Sequence, residues 1–391
     1  MSGRSARAAL YIGGLLGPFG GGVVASMLPE LSADFGVTPG VAASSLTSYL
    51  LPFALVMLVS GTYGARWGPV RTIRIAYVGY VVAAALAALV PWFWLFQVTR
   101  GLQGVANAFT TPLLLAKLAS ITPPHRLGRA LGTYGAMQAL GQTSAPLVGG
   151  LAAEGDWRWA FAGIAVVALV LAASPLPPDG REREPGARLR DAWRPVVWWA
   201  GAVMFLTWAC LAGLPFLVAF RLDDLFALTS GVRGLVLTAY GIAGFVAARL
   251  VGAASDRFGP RVALAAGLLL GAVAMASIGL FPSLPAVTLA WSVAGVCGQL
   301  ALVGVNAMIL GGRGGRGGGG AISVVTALRF LGMSASPALF TGLYHTDAAL
   351  GFLVPAAVLA ATIGLVALRP RTDPPADPTV GQTAGRSQDP A

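Results

Sequence analysis

Gly252-Ala-Ala-Ser-Asp256-Arg257-Phe-Gly259-Pro-Arg261 interrupts a long apolar stretch, and 191 residues earlier Gly61-Thr-Tyr-Gly-Ala65-Arg66-Trp-Gly68-Pro-Val-Arg71 does the same. Gly61, Arg66, Gly68 and Pro69 fall on Gly252, Arg257, Gly259 and Pro260. The same offset carries Pro91 onto Pro282 and Gly104-Val105 onto Gly295-Val296. It also carries Leu140-Gly141 and Pro146 onto Leu331-Gly332 and Pro337. A single register held over that distance is unlikely by chance, and it divides the chain into two similar halves.

The medium around those halves follows from composition. Of 391 residues 56% are hydrophobic and 10% charged, with a mean hydropathy of +0.75. A soluble domain carries roughly 25% charged residues; here the surplus apolar surface must face lipid. The net charge of +11 is not a nucleic-acid signature, because the basic residues sit in short loops between apolar runs. Cys210 and Cys297 lie inside apolar segments, so neither a disulfide nor a metal site is expected.

A helix needs about 20 apolar residues to cross the hydrocarbon core. Such segments fall near 8–29, 41–64, 73–91, 93–117, 130–152, 158–176, 196–219, 233–254, 262–281, 285–310, 321–343 and 348–368. The chain therefore reads as an all-α membrane protein with twelve spans. The first run follows Arg4 and Arg7 like a signal peptide, but at about 22 residues it is long for one and reads as a retained helix. Pro52, Pro112, Pro146, Pro215 and Pro337 fall inside spans, which membrane helices tolerate when neighbours satisfy the freed carbonyls.

With both termini cytoplasmic, nineteen arginines lie on the inner side, against Arg158, Arg221 and Arg233 outside. That bias sets the orientation. The expected organisation is a six-helix half at 1–176, a cytoplasmic linker at 177–195, a second half at 196–368 and a disordered tail at 369–391. Gly311-Gly-Arg313-Gly-Gly-Arg316-Gly-Gly-Gly-Gly320 lacks the Lys-Ser/Thr of a phosphate loop and reads as a flexible connection.

The loop 252–261 resembles the signature loop of the major facilitator superfamily: Gly, three residues, Asp-Arg, one residue, Gly, one residue, Arg. The copy at 61–71 keeps Gly61, Arg66, Gly68 and Arg71 but has Ala65 where the family has Asp. Glycines there permit a tight turn, and the Asp of such a loop is positioned to hold arginines and a helix N-terminus in one state of a transport cycle. The bland alternative, an ordinary basic turn, does not explain two copies at the repeat offset. The resemblance spans about residues 8–368 and implies twelve helices in two pseudo-symmetric halves, with a substrate site between them near the midplane.

Two more stretches carry the resemblance. Arg100-Gly-Leu-Gln103-Gly104-Val-Ala-Asn107 resembles the family's fourth-helix pattern of Arg followed by Gln-Gly. Arg100 lies about 12 Å into its helix at 1.5 Å per residue. Gln97, Arg100, Gln103, Asn107 and Thr111 recur at helical spacing as one polar stripe. Gly132, then Gly141-Gln-Thr-Ser-Ala145-Pro146-Leu-Val-Gly149-Gly150, resembles the fifth-helix motif of the superfamily's antiporters, with Ala145 replacing a glycine. Small residues let helices pack closely and Pro kinks the segment, so generic packing is the competing reading. Arg329 sits about 12 Å deep in helix 11 without a family counterpart, and intramembrane charges are rare and usually functional. Arg249 and Lys117 lie near helix ends, where long side chains snorkel. Trp208, Trp291, Phe205 and Tyr240 are candidates for the pathway wall, though such aromatics more often pack.

The resemblance implies a secondary transporter in the cell membrane, no enzyme, exporting small amphipathic molecules by proton antiport. The alternative is an importer or facilitator of a metabolite. A membrane enzyme or receptor is remote, since no His, Asp or Glu cluster shares one membrane depth to support catalysis and no soluble domain supports signalling. A small-molecule substrate, protons and the lipid bilayer are the expected partners, with no cofactor, no nucleic acid and a monomeric chain. One difficulty stands: the interiors of these spans hold no Asp or Glu, with Glu30 and Asp34 at the outer end of helix 1.

Overall fold

A computed structural model of the chain describes residues 3–178, 195–310 and 318–368. Nearly all of the expected linker, the tail and most of the glycine–arginine loop lie outside those residues.

The first span is α1 (Gly3–Gly22), a 3-10 turn (Val23–Ser26) and α2 (Leu28–Phe35). Five continuous helices follow: α3 (Pro39–Trp67), α4 (Pro69–Leu89), α5 (Phe93–Ser120), α6 (Pro124–Ala153) and α7 (Arg158–Ala173). The second half repeats the plan, with a seventh span split into α8 (Pro195–Cys210) and α9 (Pro215–Phe226). It continues with α10 (Ser230–Phe258), α11 (Pro260–Leu280), α12 (Leu284–Leu310), α13 (Gly318–Thr346) and α14 (Leu350–Ala367). No strand occurs among the described residues.

Nine helical stretches among the described residues are long and apolar enough to cross a membrane, and Arg158–Ala173 is a shorter apolar helix. The two spans left over are α5 and α6, and their polarity has a cause. Thr99, Arg100, Gln103, Asn107, Thr110 and Lys117 of α5 are all buried in protein. α6 lies between α1 of its own half and α10 of the other. Helices shielded from lipid can carry polar side chains that a lipid-facing helix cannot.

Two breaks differ from the unbroken first and seventh spans expected, and Pro215 opens a helix where an in-span proline was expected. Pro215 has no N–H to continue the ladder, so α9 starts there. The freed Ala209 carbonyl accepts from Ser336 Oγ at 2.8 Å. In the first half Ser26 Oγ instead donates to the Pro146 carbonyl at 2.6 Å, tying the turn to α6. Arg158, Arg221 and Arg233, expected in loops, open or sit within helices, and His345 lies in the last turn of α13.

Within the first half, Phe35, Phe93, Phe96, Trp157 and Phe161 form a ring cluster with centroids 5.4–6.3 Å apart, joining α2, α5 and α7. Each such pair adds ~0.5–1.5 kcal/mol beyond its burial. Between halves, α3 packs on α13 and α6 on α10. The repeat offset places α3 on α10 and α6 on α13, so these two seams are related by the internal pseudo-symmetry.

Candidate functional site

Arg100 is fully buried within the first half. Its Nη1 donates to Gln103 Oε1 at 2.7 Å, and its Cζ lies 4.5 Å from the Tyr49 ring centre and 5.6 Å from that of Phe161. Nε and Nη2 find no acceptor among the described residues, nor do Gln103 Nε2 and Tyr80 Oη find a partner. Asn107 Oδ1 accepts from Thr111 Oγ1 at 3.1 Å, and Gln97 donates to Ser44 Oγ at 2.5 Å. The expected stripe thus exists, but it is turned into the bundle of the first half.

The second half builds the same place differently. At the repeat offset Tyr49 becomes Tyr240, Phe161 becomes Phe352, and Arg100 becomes Trp291. Tyr240 and Trp291 have ring centres 4.8 Å apart, and Trp291 Nε1 donates to the Leu237 carbonyl at 3.0 Å. A Cβ at Gly104 would overlap the Tyr49 carbonyl oxygen, and one at Gly295 that of Tyr240. One close helix crossing is thus kept twice, with a charge in one copy only.

Arg329 sits elsewhere, half-buried in mid-α13. Its Cζ lies 4.6 Å from the Phe330 ring centre and 5.3 Å from that of Trp208. Its Nε has no acceptor among the described residues. Phe330 meets Phe53 of the first half at 4.8 Å, which puts this cluster at the seam. Arg100 and Arg329 are therefore in different halves, with the rings of Tyr49, Phe53 and Phe330 in succession between them. Of the aromatics considered from sequence, Trp291 and Tyr240 pack on each other, whereas Trp208 lies against Arg329.

The α6 motif forms a packing strip. Cβ atoms at Gly141 and Gly149 would overlap the Leu15 and Val23 carbonyls, and one at Gly150 would overlap that of Ser230 in the other half. Ala145 is fully buried, 3.2 Å from where a Gly22 Cβ would lie. Gly132 has open space around it. Further contacts close the same end: Gly234 meets the Pro146 carbonyl, and Thr229 Oγ1 donates to Glu154 at 3.0 Å. Toward the other end Phe245, Val246, Ala248, Arg249 and Leu250 of α10 are exposed, and Gly132 and Gly135 of α6 and Gly252 of α10 have open space where a Cβ would lie.

A charge cluster missed by sequence reasoning locks the closed end. Arg233, with a side chain only 3% exposed, pairs with Glu30 from the first half and Asp223 from its own. It also donates to the Leu228 carbonyl at 3.0 Å and the Ser26 carbonyl at 3.4 Å. The available signal was three charges bordering apolar runs on the arginine-poor side.

At the open end, Gly68 and Gly259 adopt φ of 96° and 84° between consecutive helices, a conformation that favours glycine. Gly61 and Gly252 have free space around them, and Arg66, Arg71, Asp256 and Arg257 are exposed. Arg257 stacks on Phe258 at 5.3 Å, and Arg261 reaches the Val366 and Ala367 carbonyls at 3.4 Å. Asp256 makes no ion pair among the described residues. Lys117, placed by sequence near a helix end, is buried there and donates to the Pro178 carbonyl at 2.5 Å.

Comparison with known proteins agrees with this architecture. The chain is 34% identical over 151 residues to the multidrug resistance protein B homolog of Mycobacterium tuberculosis (strain ATCC 25618 / H37Rv), covering 38% of this chain and 28% of that relative. The chain thus spans well under half the length of that curated relative. Among solved structures, a D-xylose-proton symporter superposes with a TM-score of 0.78 at 16% identity, covering 94% of this chain and 98% of the other. A bacterial homolog of the human lysosomal transporter Spinster, inward-facing and occupied, gives 0.74 at 16% identity, with coverages of 94% and 96%. The family model of the Major Facilitator Superfamily matches residues 10–232 and 216–388, nearly the whole chain in two copies, and the chain belongs to that superfamily of membrane transporters.

Proposed function

We propose that the protein exports small amphipathic molecules from the cytoplasm by alternating access, taking protons in exchange. The observation that carries this reading is the α6 strip. Gly132, Gly141, Pro146, Gly149 and Gly150 match the antiporter-like pattern, Ala145 stands where that pattern has a glycine, and Gly150 lies at the seam between halves. The name of the M. tuberculosis relative points the same way. The open space beside α6 and α10 lies at the end bearing the arginine-rich turns, which the positive-inside rule assigns to the cytoplasm, where an exporter loads. Arg100, Gln103, Asn107 and Arg329 are the polar groups proposed to bind or couple, and the turns at 61–71 and 252–261 the proposed switch.

A second reading, a facilitator or importer, draws on one observation. Among the described residues every carboxylate lies at a helix end or in a turn, so no buried mid-span carboxylate is at hand to carry a proton. Everted membrane vesicles with an imposed proton gradient separate the two. An antiporter releases protons when substrate is added, seen as recovery of a quenched acridine dye. A facilitator equilibrates its substrate with no proton signal.

A further inference from the structure

Arg329 is a charge without a counter-charge. Its Nε is shut away from solvent with no acceptor, and its guanidinium makes no hydrogen bond or ion pair among the described residues. A charge held at low dielectric is costly unless a partner completes it. Arg100 differs: it is sealed inside the first half and already donates to Gln103. Arg329 is half-buried, beside the seam that Phe330 makes with Phe53.

We infer that Arg329, with Trp208 and Phe330, forms the recognition site for substrates that join an anionic group to a flat apolar body. The direction of their movement rests on the export reading; their recognition does not. Trp208 and Phe330 lie against the guanidinium at 5.3 and 4.6 Å, leaving its N–H groups as the polar feature of an otherwise aromatic surface. A carboxylate suits those groups because guanidinium N–H pairs match its two oxygens. An attached ring suits the aromatic walls. A cation brought to the same place meets like charge at low dielectric, where repulsion exceeds its value in water. Selectivity for acids over lipophilic cations therefore follows from one residue.

The test is equilibrium dialysis of the purified full chain in lipid nanodiscs at neutral pH. The ligands are 2-naphthoate, its neutral isostere 2-naphthamide, and naphthyltrimethylammonium. The wild type is expected to bind the acid at least about tenfold more tightly than the amide, and the cation least well. Arg329→Gln should bring the acid-to-amide ratio to about one while the amide still binds, and Arg329→Lys, which keeps the charge, should retain a ratio above one. Equal affinities in the wild type, a preference kept by Arg329→Gln, or no binding of the acid would each overturn the inference. Selective binding without efflux from vesicles counts against export alone.

Discussion

Arg100 and Trp291 occupy one place in the two halves, so the fold itself does not require a charge there. The indole meets its only polar need with the Leu237 carbonyl, whereas the guanidinium leaves Nε and Nη2 unmet. Replacing an incompletely paired buried charge by an apolar chain of similar volume is often neutral or stabilising. Arg100→Met is therefore expected to insert and to melt in detergent at or above the wild-type temperature, while transport falls at least about tenfold, ~1.4 kcal/mol in barrier. Unimpaired transport would make the arginine a packing residue. Gly104→Ala, one residue beyond Gln103, should do the opposite to stability. Its Cβ meets the Tyr49 carbonyl, a backbone atom that cannot swing aside, and overpacking of this kind costs ~1–3 kcal/mol.

Element by element, what hydropathy and small-residue patterns record was legible, and what packing decides was not. The repeat from Gly61 to Pro337 matched the turns, because Gly68 and Gly259 both take positive φ. The breaks at Val23–Ser26 and before Pro215 escaped, since an apolar turn has the same hydropathy as an apolar helix. The polar stripe on α5 was read correctly in spacing, but nothing in its spacing says that Tyr49 and Phe161 cover Arg100. The α6 motif makes the distinction testable within one helix. Gly150 presses on α10 of the other half, while Gly132 faces open space. Gly150→Ala should weaken closure of that end and shift the resting protein toward its outward-open form, and Gly132→Ala should be tolerated. Accessibility of single cysteines near Thr229 to a membrane-impermeant thiol reagent reports the shift, and equal labelling in both variants would refute it.

Across the whole molecule the arginine bias is proposed to set sidedness, and a protease-sensitive tag on either terminus is expected to be cut only in broken cells; cutting in intact cells would invert the assignment. On that proposed assignment the closed end is the outer one, and its opening is the step proposed for transport. Arg233 holds it through two carboxylates that belong to different bodies. Asp223 shares the second half with Arg233 and travels with it, whereas Glu30 belongs to the first half and must let go when the halves separate. Glu30→Gln removes the bond that spans the seam and leaves Arg233 neutralised by Asp223, so the outward-open population should rise. Asp223→Asn leaves Glu30 as the arginine's sole carboxylate and should tighten the seam. Both carboxylates are partly exposed, at 28% and 37%, so solvent screening holds each effect to about tenfold in the ratio of states, ~1.4 kcal/mol. Spin labels at the exposed outer positions Trp92 and Phe281, one in each half, give the population as a distance distribution. Glu30→Gln should lengthen the mean distance and Asp223→Asn shorten it. A general loss of negative charge would move both variants the same way, and that result would remove Arg233 from the gate.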